Sequence, residues 1–311
     1  MKKIIKAFLI IAIFSISFML ASCEDPATRK VSVLTPTGTP SLGIADAISD
    51  SSRVDVNIVN GADPLKAGFT TGNYDIIVAP VNLGAMFYNN VENFEYVLYK
   101  TIVWGNYYLA SLSEINSIEE LNGKTVVVFG QNSTPDVVLR TIIASKNLNV
   151  NLEYVDDVAT ANSYLLTGKA EIIVSAEPSL TKVKSKKDVH TFDLQQAWFE
   201  FSGNNSLPQA AIFVKSSLKE DKDVLKVLSM MEESVLKASS NPTELIEKAV
   251  SVDSNLNTIG KETLQEAIAY CNLKMIANQK EAIEFYFNKV IELGIGKTVG
   301  GKLPDEGFYF K

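Results

Sequence analysis

The run Val126-Val-Val-Phe-Gly-Gln-Asn-Ser-Thr-Pro-Asp-Val-Val-Leu-Arg-Thr-Ile-Ile143 has a partner 95 residues upstream, Val31-Ser-Val-Leu-Thr-Pro-Thr-Gly-Thr-Pro-Ser-Leu-Gly-Ile-Ala-Asp-Ala-Ile48. Each is an apolar, strand-like run, then a polar loop, then Thr-Pro opening an amphipathic segment. A second echo follows. Thr71-Gly-Asn-Tyr-Asp-Ile-Ile-Val78 returns as Thr167-Gly-Lys-Ala-Glu-Ile-Ile-Val174, offset by 96, and the two tryptophans, Trp104 and Trp198, stand 94 apart. One such echo arises easily by chance, since strand–turn–helix units look alike. Three in the same order at nearly one offset predict two similar α/β lobes.

Working outward, strands are expected at Val31–Thr35, Val54–Val59, Tyr74–Ala79, Tyr96–Trp104 and Asn106–Leu112, with helices opening near Pro40, Pro64 and Pro80. The second half repeats the pattern through Val189–Asp193 and a return strand at Gln209–Val214. The fold class is α/β: two lobes, each a mostly parallel sheet flanked by helices, joined by a two-strand hinge that leaves near residue 110 and returns near residue 210. Lobe one is read as 31–111 and 212–311, lobe two as 112–211. From Asp221 onward the pattern is helical, and this tail is expected to pack on the first lobe. Ligands of open α/β sheets lie beyond the carboxyl ends of the strands. The loops facing the cleft are then 35–40, 60–64, 79–83, 130–136, 156–158 and 175–179.

The N-terminus reads as an export signal, residues 1–22, followed by a tether, 23–30. Lys2, Lys3 and Lys6 precede an apolar run, Ala7–Ala21, shorter than the ~20 residues a spanning helix requires. Leu20-Ala-Ser-Cys23 resembles the bacterial lipobox, which implies lipidation at Cys23. Several acyl chains on one cysteine give lasting attachment to the outside of a cell membrane. Removing 22 of 311 residues leaves 289, enough for two cores. Losing three lysines takes the formal charge from −7 to −10, a poor match for nucleic acid.

Catalytic and metal chemistry have little to build on. His190 is the single histidine, on an apparent strand. Cys271 lies in an apolar helical pattern and reads as a small buried hydrophobe. Neither a glycine-rich phosphate loop nor a nucleophile–base pair stands out, so no cofactor is expected. Arginine is confined to Arg29, Arg53 and Arg140, which leaves few donors for clamping an anion.

The candidate ligand-binding residues cluster at the cleft loops. Two helix N-termini aim there, behind Thr39-Pro40 and Thr134-Pro135, with Thr39 and Thr134 as expected caps. Gln131, Asn132 and Ser133 add donors beside Thr134, while Asp136 opposes an anion. Glu177, after the Ala170–Ser175 strand, suits a ligand amine or protonated ring nitrogen, or is simply a solvated loop residue. Asn82 is its approximate counterpart in the first lobe. Trp104 and Trp198 lie near the crossovers, where an aromatic wall for a ligand and ordinary hinge packing both remain open.

Together these residues resemble a known group. The lipobox, Val33-Leu-Thr-Pro-Thr-Gly-Thr-Pro-Ser-Leu42, Tyr74-Asp-Ile-Ile-Val-Ala-Pro-Val-Asn-Leu83, Leu121-Asn-Gly-Lys-Thr-Val-Val-Val128 and Ala170-Glu-Ile-Ile-Val-Ser-Ala-Glu-Pro178 are similar to the solute-binding lipoproteins of ABC importers. More narrowly, they resemble the type II periplasmic-binding-protein branch handling alkanesulfonates, taurine, nitrate and the pyrimidine precursor of thiamine. The resemblance implies that Thr37, Gly38, Thr39, Asn82, Ser133, Thr134 and Glu177 border the ligand. It also implies a permease and an ATPase as partners, with a sulfonate or nitrogen heterocycle as the solute and a monomeric receptor. Two alternatives stay open: an enzyme like the menaquinone-pathway proteins of the same fold, and a surface sensor or adhesin with a vestigial cleft.

Overall fold

The computed structural model describes residues 27, 29–203 and 205–311. The expected signal, Cys23 and most of the tether lie outside the described residues. The strands are β1 (Val31–Pro36), β2 (Val54–Val59), β3 (Ile76–Pro80), β4 (Tyr96–Val103), β5 (Tyr107–Ser111), β6 (Thr125–Phe129), β7 (Asn151–Val155), β8 (Ile172–Ala176), β9 (His190–Asp193) and β10 (Ala210–Lys215). They form two five-stranded sheets, ordered β2-β1-β3-β10-β4 and β7-β6-β8-β5-β9.

The two orders are one pattern written twice. β1 pairs in parallel with β2 and β3, and β6 does the same with β7 and β8. In each sheet the fourth position is an antiparallel strand supplied by the chain as it arrives from the other lobe: β10 in the first sheet, β5 in the second. The sequence echoes are thus a structural duplication.

β5 departs from the expected division of the chain. Instead of closing the first lobe it pairs with β8 and β9 in the second sheet, so the chain crosses between Trp104 and Asn106. The reason is burial. Leu109 and Ala110 point to opposite faces and both are fully buried, so β5 requires an interior place, and the equivalent place in the first sheet belongs to β10. Gly105 makes the crossing at φ 82°, a backbone conformation glycine adopts freely.

Helices cover both faces of each sheet. In the first lobe these are α1 (Thr39–Gly43), α2 (Ala45–Ile48), α3 (Asp63–Thr71) and α4 (Val81–Asn90); in the second, α5 (Thr134–Ser145), α6 (Val158–Thr167), α7 (Ser179–Lys184) and α8 (Leu194–Phe201). On α5, Val138 and Ile142, one turn apart, are buried among residues that include Val126 and Val128 of β6. Gly68 and Gly84 let α3 and α4 approach the first sheet closely: a Cβ on Gly84 would run into the Phe213 ring of β10.

The tail is α9 (Lys222–Ser240), α10 (Pro242–Val252), α11 (Ser254–Ile259), α12 (Lys261–Ala267) and α13 (Gln279–Glu292). α9 and α10 pack on α2 in the first lobe. α13 reaches further than expected and packs on α5 of the second lobe, while α12 meets α7. The buried Trp198 of α8 makes an edge contact with Tyr286 of α13 at 5.5 Å between ring centroids. The last residues return to the first sheet, where the Phe310 amide donates to Leu98 of β4. Among the described residues no helix is long and apolar enough to cross a membrane.

Candidate functional site

The carboxyl ends of β1, β3, β6 and β8 converge on a cleft with a cavity volume of about 150 Å³. All six of the expected loops contribute to its lining, joined by Asn106, Tyr107, Gln209 and Ala210 from the two crossovers. Apolar walls come from Leu65, Val59 and Phe129, with Tyr107 beside them. Among the described lining residues the ionisable side chains are Asp156, Asp157, Glu177 and Tyr107, with no lysine, arginine or histidine.

Glu177 is the hub. Its backbone carbonyl accepts the Thr39 hydroxyl at 2.7 Å and the Asn106 side-chain amide at 2.7 Å, and that amide also donates to the Thr39 oxygen. A first-lobe helix start, a crossover residue and a second-lobe loop are thereby tied at one atom. The Glu177 carboxylate accepts the Thr181 amide at the start of α7. It is 5% exposed, and burial pushes its carboxyl above the usual range against the opposing pull of that hydrogen bond. Burial likewise raises the Tyr107 phenol, whose hydroxyl meets Thr134.

The two Thr-Pro motifs work differently from expectation. Gly38 and Ser133, one residue earlier, are the N-caps, and neither makes a side-chain cap. Pro sits at the second helical position, which leaves each threonine at the first position with its hydroxyl free to turn away from its own helix. Thr39 uses that freedom to reach Glu177; Thr134 donates to Asn82 Oδ1 at 3.1 Å.

Of the other expected residues, Thr37, Gly38 and Ser133 line the cavity. The Thr37 hydroxyl is committed to Asp253, a buried carboxylate on the tail that also holds Ser41. Asn82 does not line the cavity. It is fully buried and bridges the lobes, its amide donating to the Asn132 carbonyl at 2.9 Å. Gln131 and Asn132 are exposed and outside the lining. Asp136 is fully buried and paired with Arg140 at 2.8 Å, so neither charge faces the ligand space. Trp104 and Trp198 are buried and neither is among the residues lining the cavity; Trp198 packs on Phe285 and Tyr286 of α13. His190 is exposed on the edge strand β9. Cys271 is fully buried, its thiol pushed up to about 12 by burial. No cluster of metal ligands occurs among the described residues.

Sequence reasoning passed over Asn106 and Gln209 because each begins a strand in the apolar crossover runs. The duplication held the signal: they are the polar residues immediately before β5 and β10, the two exchanged strands.

A sequence profile of the family described as menaquinone biosynthesis matches residues 63–292. The chain belongs to the menaquinone-biosynthesis family. No functionally curated protein matches this family member by sequence. Among solved structures, an ABC transporter protein from Parabacteroides distasonis superposes with a TM-score of 0.73 at 24% identity, covering 90% of this chain and 98% of that one. The ligand-binding component of an ABC-type import system from Staphylococcus aureus, with zinc bound, gives 0.71 at 12%, covering 91% and 97%. The alkanesulfonate-binding protein of Xanthomonas axonopodis bound to MOPS gives 0.64 at 11%, covering 89% and 96%. At these identities the likeness is one of fold: two lobes of the periplasmic-binding-protein kind, as the sequence resemblance implied.

Proposed function

We propose that this member of the menaquinone-biosynthesis family is an extracytoplasmic substrate-binding protein, capturing a small organic solute between its lobes and passing it to an ABC permease and ATPase. The observation that carries the reading is the lining of the cleft. It combines apolar walls with a few polar groups fixed by hydrogen bonds, as binding pockets do. The solved structures of like fold described as transporter components support the same reading. The basic, apolar and Leu20-Ala-Ser-Cys23 segments support export and a lipid anchor at Cys23.

Family membership favours a second reading, an enzyme acting on a small carboxylate, and the buried Glu177 with its raised carboxyl would be its acid or base. One observation weighs against it: among the described lining residues no cation is present to hold a carboxylate substrate.

Native mass spectrometry of the mature chain after incubation with a bacterial small-molecule extract separates the two. A receptor retains one molecule of unchanged mass per chain. Loss of an extract compound with appearance of a new product identifies an enzyme and overturns the receptor reading.

A further inference from the structure

We infer that the pole of lobe one around Arg29 is a docking surface for an anionic bilayer, the one that carries the lipid anchor. The inference rests on the anchor at Cys23 from the reading above, and adds which face of the protein meets the membrane.

The place of Arg29 sets the geometry. Its guanidinium donates to Asp75 at 2.7 Å and to Asp221 at 3.3 Å, and its backbone amide donates to Asp223. Asp75 also accepts the Ser32 amide at 2.8 Å, near the amino end of β1. Asp75 stands just before β3, and Asp221 caps α9, so one arginine fastens the incoming chain to three elements at once. This pole is opposite the cleft, which lies at the carboxyl ends of β1 and β3. Six residue steps separate Cys23 from Arg29, and a chain reaches at most about 3.5 Å per step. The pole is thereby held within roughly 21 Å of the lipidated sulfur. The cleft loops stand about 20 Å from the pole, the length of β1 at about 3.3 Å per residue.

Charge supplies the second argument. Lys30 follows Arg29, and Lys219 and Lys222 stand either side of Asp221. Among the described residues no ion pair or hydrogen bond occupies these three ammonium groups. The carboxylates nearby are drawn to Arg29 instead, with the Asp75 and Asp221 side chains 17% and 28% exposed. Glu220 is the exposed acid of this turn. Lysine stems carry their charge beyond such short side chains. On an otherwise acidic chain, an anionic surface attracts this pole and repels the remainder.

Fluorescence transfer to an acceptor on the lipid headgroups tests the docking, with the purified lipoprotein reconstituted on vesicles. The donor is carried by Ser52→Cys, exposed in the turn before β2 at this pole, or by Lys124→Cys, exposed before β6 at the far end of lobe two. The mass of the chain is read first, and absence of lipid overturns the anchor and the docking with it. With lipid present, transfer from Ser52→Cys should exceed that from Lys124→Cys. It should rise when phosphatidylglycerol is added to phosphatidylcholine vesicles, and fall back in molar salt. Lys30→Gln, Lys219→Gln and Lys222→Gln together should abolish the rise, since each lysine favours the docked arrangement about five-fold. None of the three lysines lies in a core, so the variant keeps its fold. Transfer from Ser52→Cys that ignores lipid charge, survives the triple variant, or stays below that from Lys124→Cys overturns the docking. Each of these results leaves the anchor and the receptor reading standing.

Discussion

Asn82 of the first lobe and Thr134 of the second share a hydrogen bond of 3.1 Å across the junction, both fully buried. Asn82 also donates to the Asn132 carbonyl, so one side chain reads both the start of α5 and the loop before it. Asn60 and Asp157 make a second, exposed link at 2.9 Å, and Lys182 reaches the Ile259 carbonyl in a third. With the Thr39 hydroxyl on the Glu177 carbonyl, these bonds latch the lobes at four places around the cleft among the described residues.

The buried Asn82 latch outweighs the exposed one, because cutting it leaves its partners unpaired and away from water. Asn82→Ala should cost about 1–3 kcal/mol in urea unfolding. It should also speed amide exchange at the start of α5. Removing the exposed latch with Asn60→Ala should cost well under 1 kcal/mol, since exposed polar pairs trade with solvent.

Glu177 has a pH signature. Burial raises its carboxyl above the ordinary value of 4.5, so the folded chain holds this proton more tightly than the unfolded chain. The stabilisation is therefore full below 4.5 and is lost as pH rises through the raised value. Glu177→Gln keeps an oxygen for the Thr181 amide and removes the titration. The variant and the parent should be similarly stable at acid pH, with the variant gaining on the parent towards neutrality. Equal pH profiles by chemical denaturation would contradict the assignment.

Arg140 and Asp136 form an ion pair whose carboxylate is wholly buried and whose guanidinium is partly exposed. The Asn132 amide and Tyr154 hydroxyl add hydrogen bonds to the same carboxylate. Arg140→Ala strands that charge and should cost about 3 kcal/mol, whereas the double variant Asp136→Asn, Arg140→Ala should recover part of the loss. A double-mutant cycle in urea measures the coupling.

Trp198 belongs to the junction between α8 and α13. Trp198→Ala should cost about 3–5 kcal/mol and leave ligand selectivity intact. A selectivity change without a stability loss would return the ring to the ligand site.

The duplication was legible in the sequence because strand ends, loops and helix starts recur in order. The first lobe's β2 runs over Val54–Val59 as the alternation predicts, and β4 and β5 appear as two consecutive strands. Which sheet β5 joins was not legible, since a strand apolar on both faces fits the middle of either. The six loops of the cleft were legible from strand direction alone. Side-chain roles were less so: Thr-Pro marks a helix start in either register, and a one-residue shift turns the threonine hydroxyl from its own helix to the opposite lobe. Asn106 and Gln209 escaped notice because a polar residue at the head of an apolar strand gives no sign of being sealed from water.

On the reading proposed above, the two duplicated lobes close on a small molecule. Spin labels on cysteines replacing Lys66 on α3 and Glu153 on β7, both exposed, report that motion directly. Cys23→Ser in the same chain and the buried, weakly acidic Cys271 keep the labelling specific. The chain alone should give a broad distance distribution, and a narrower, shorter one once the molecule recovered from cell extract is bound. A distribution left unchanged by a molecule that binds would contradict it.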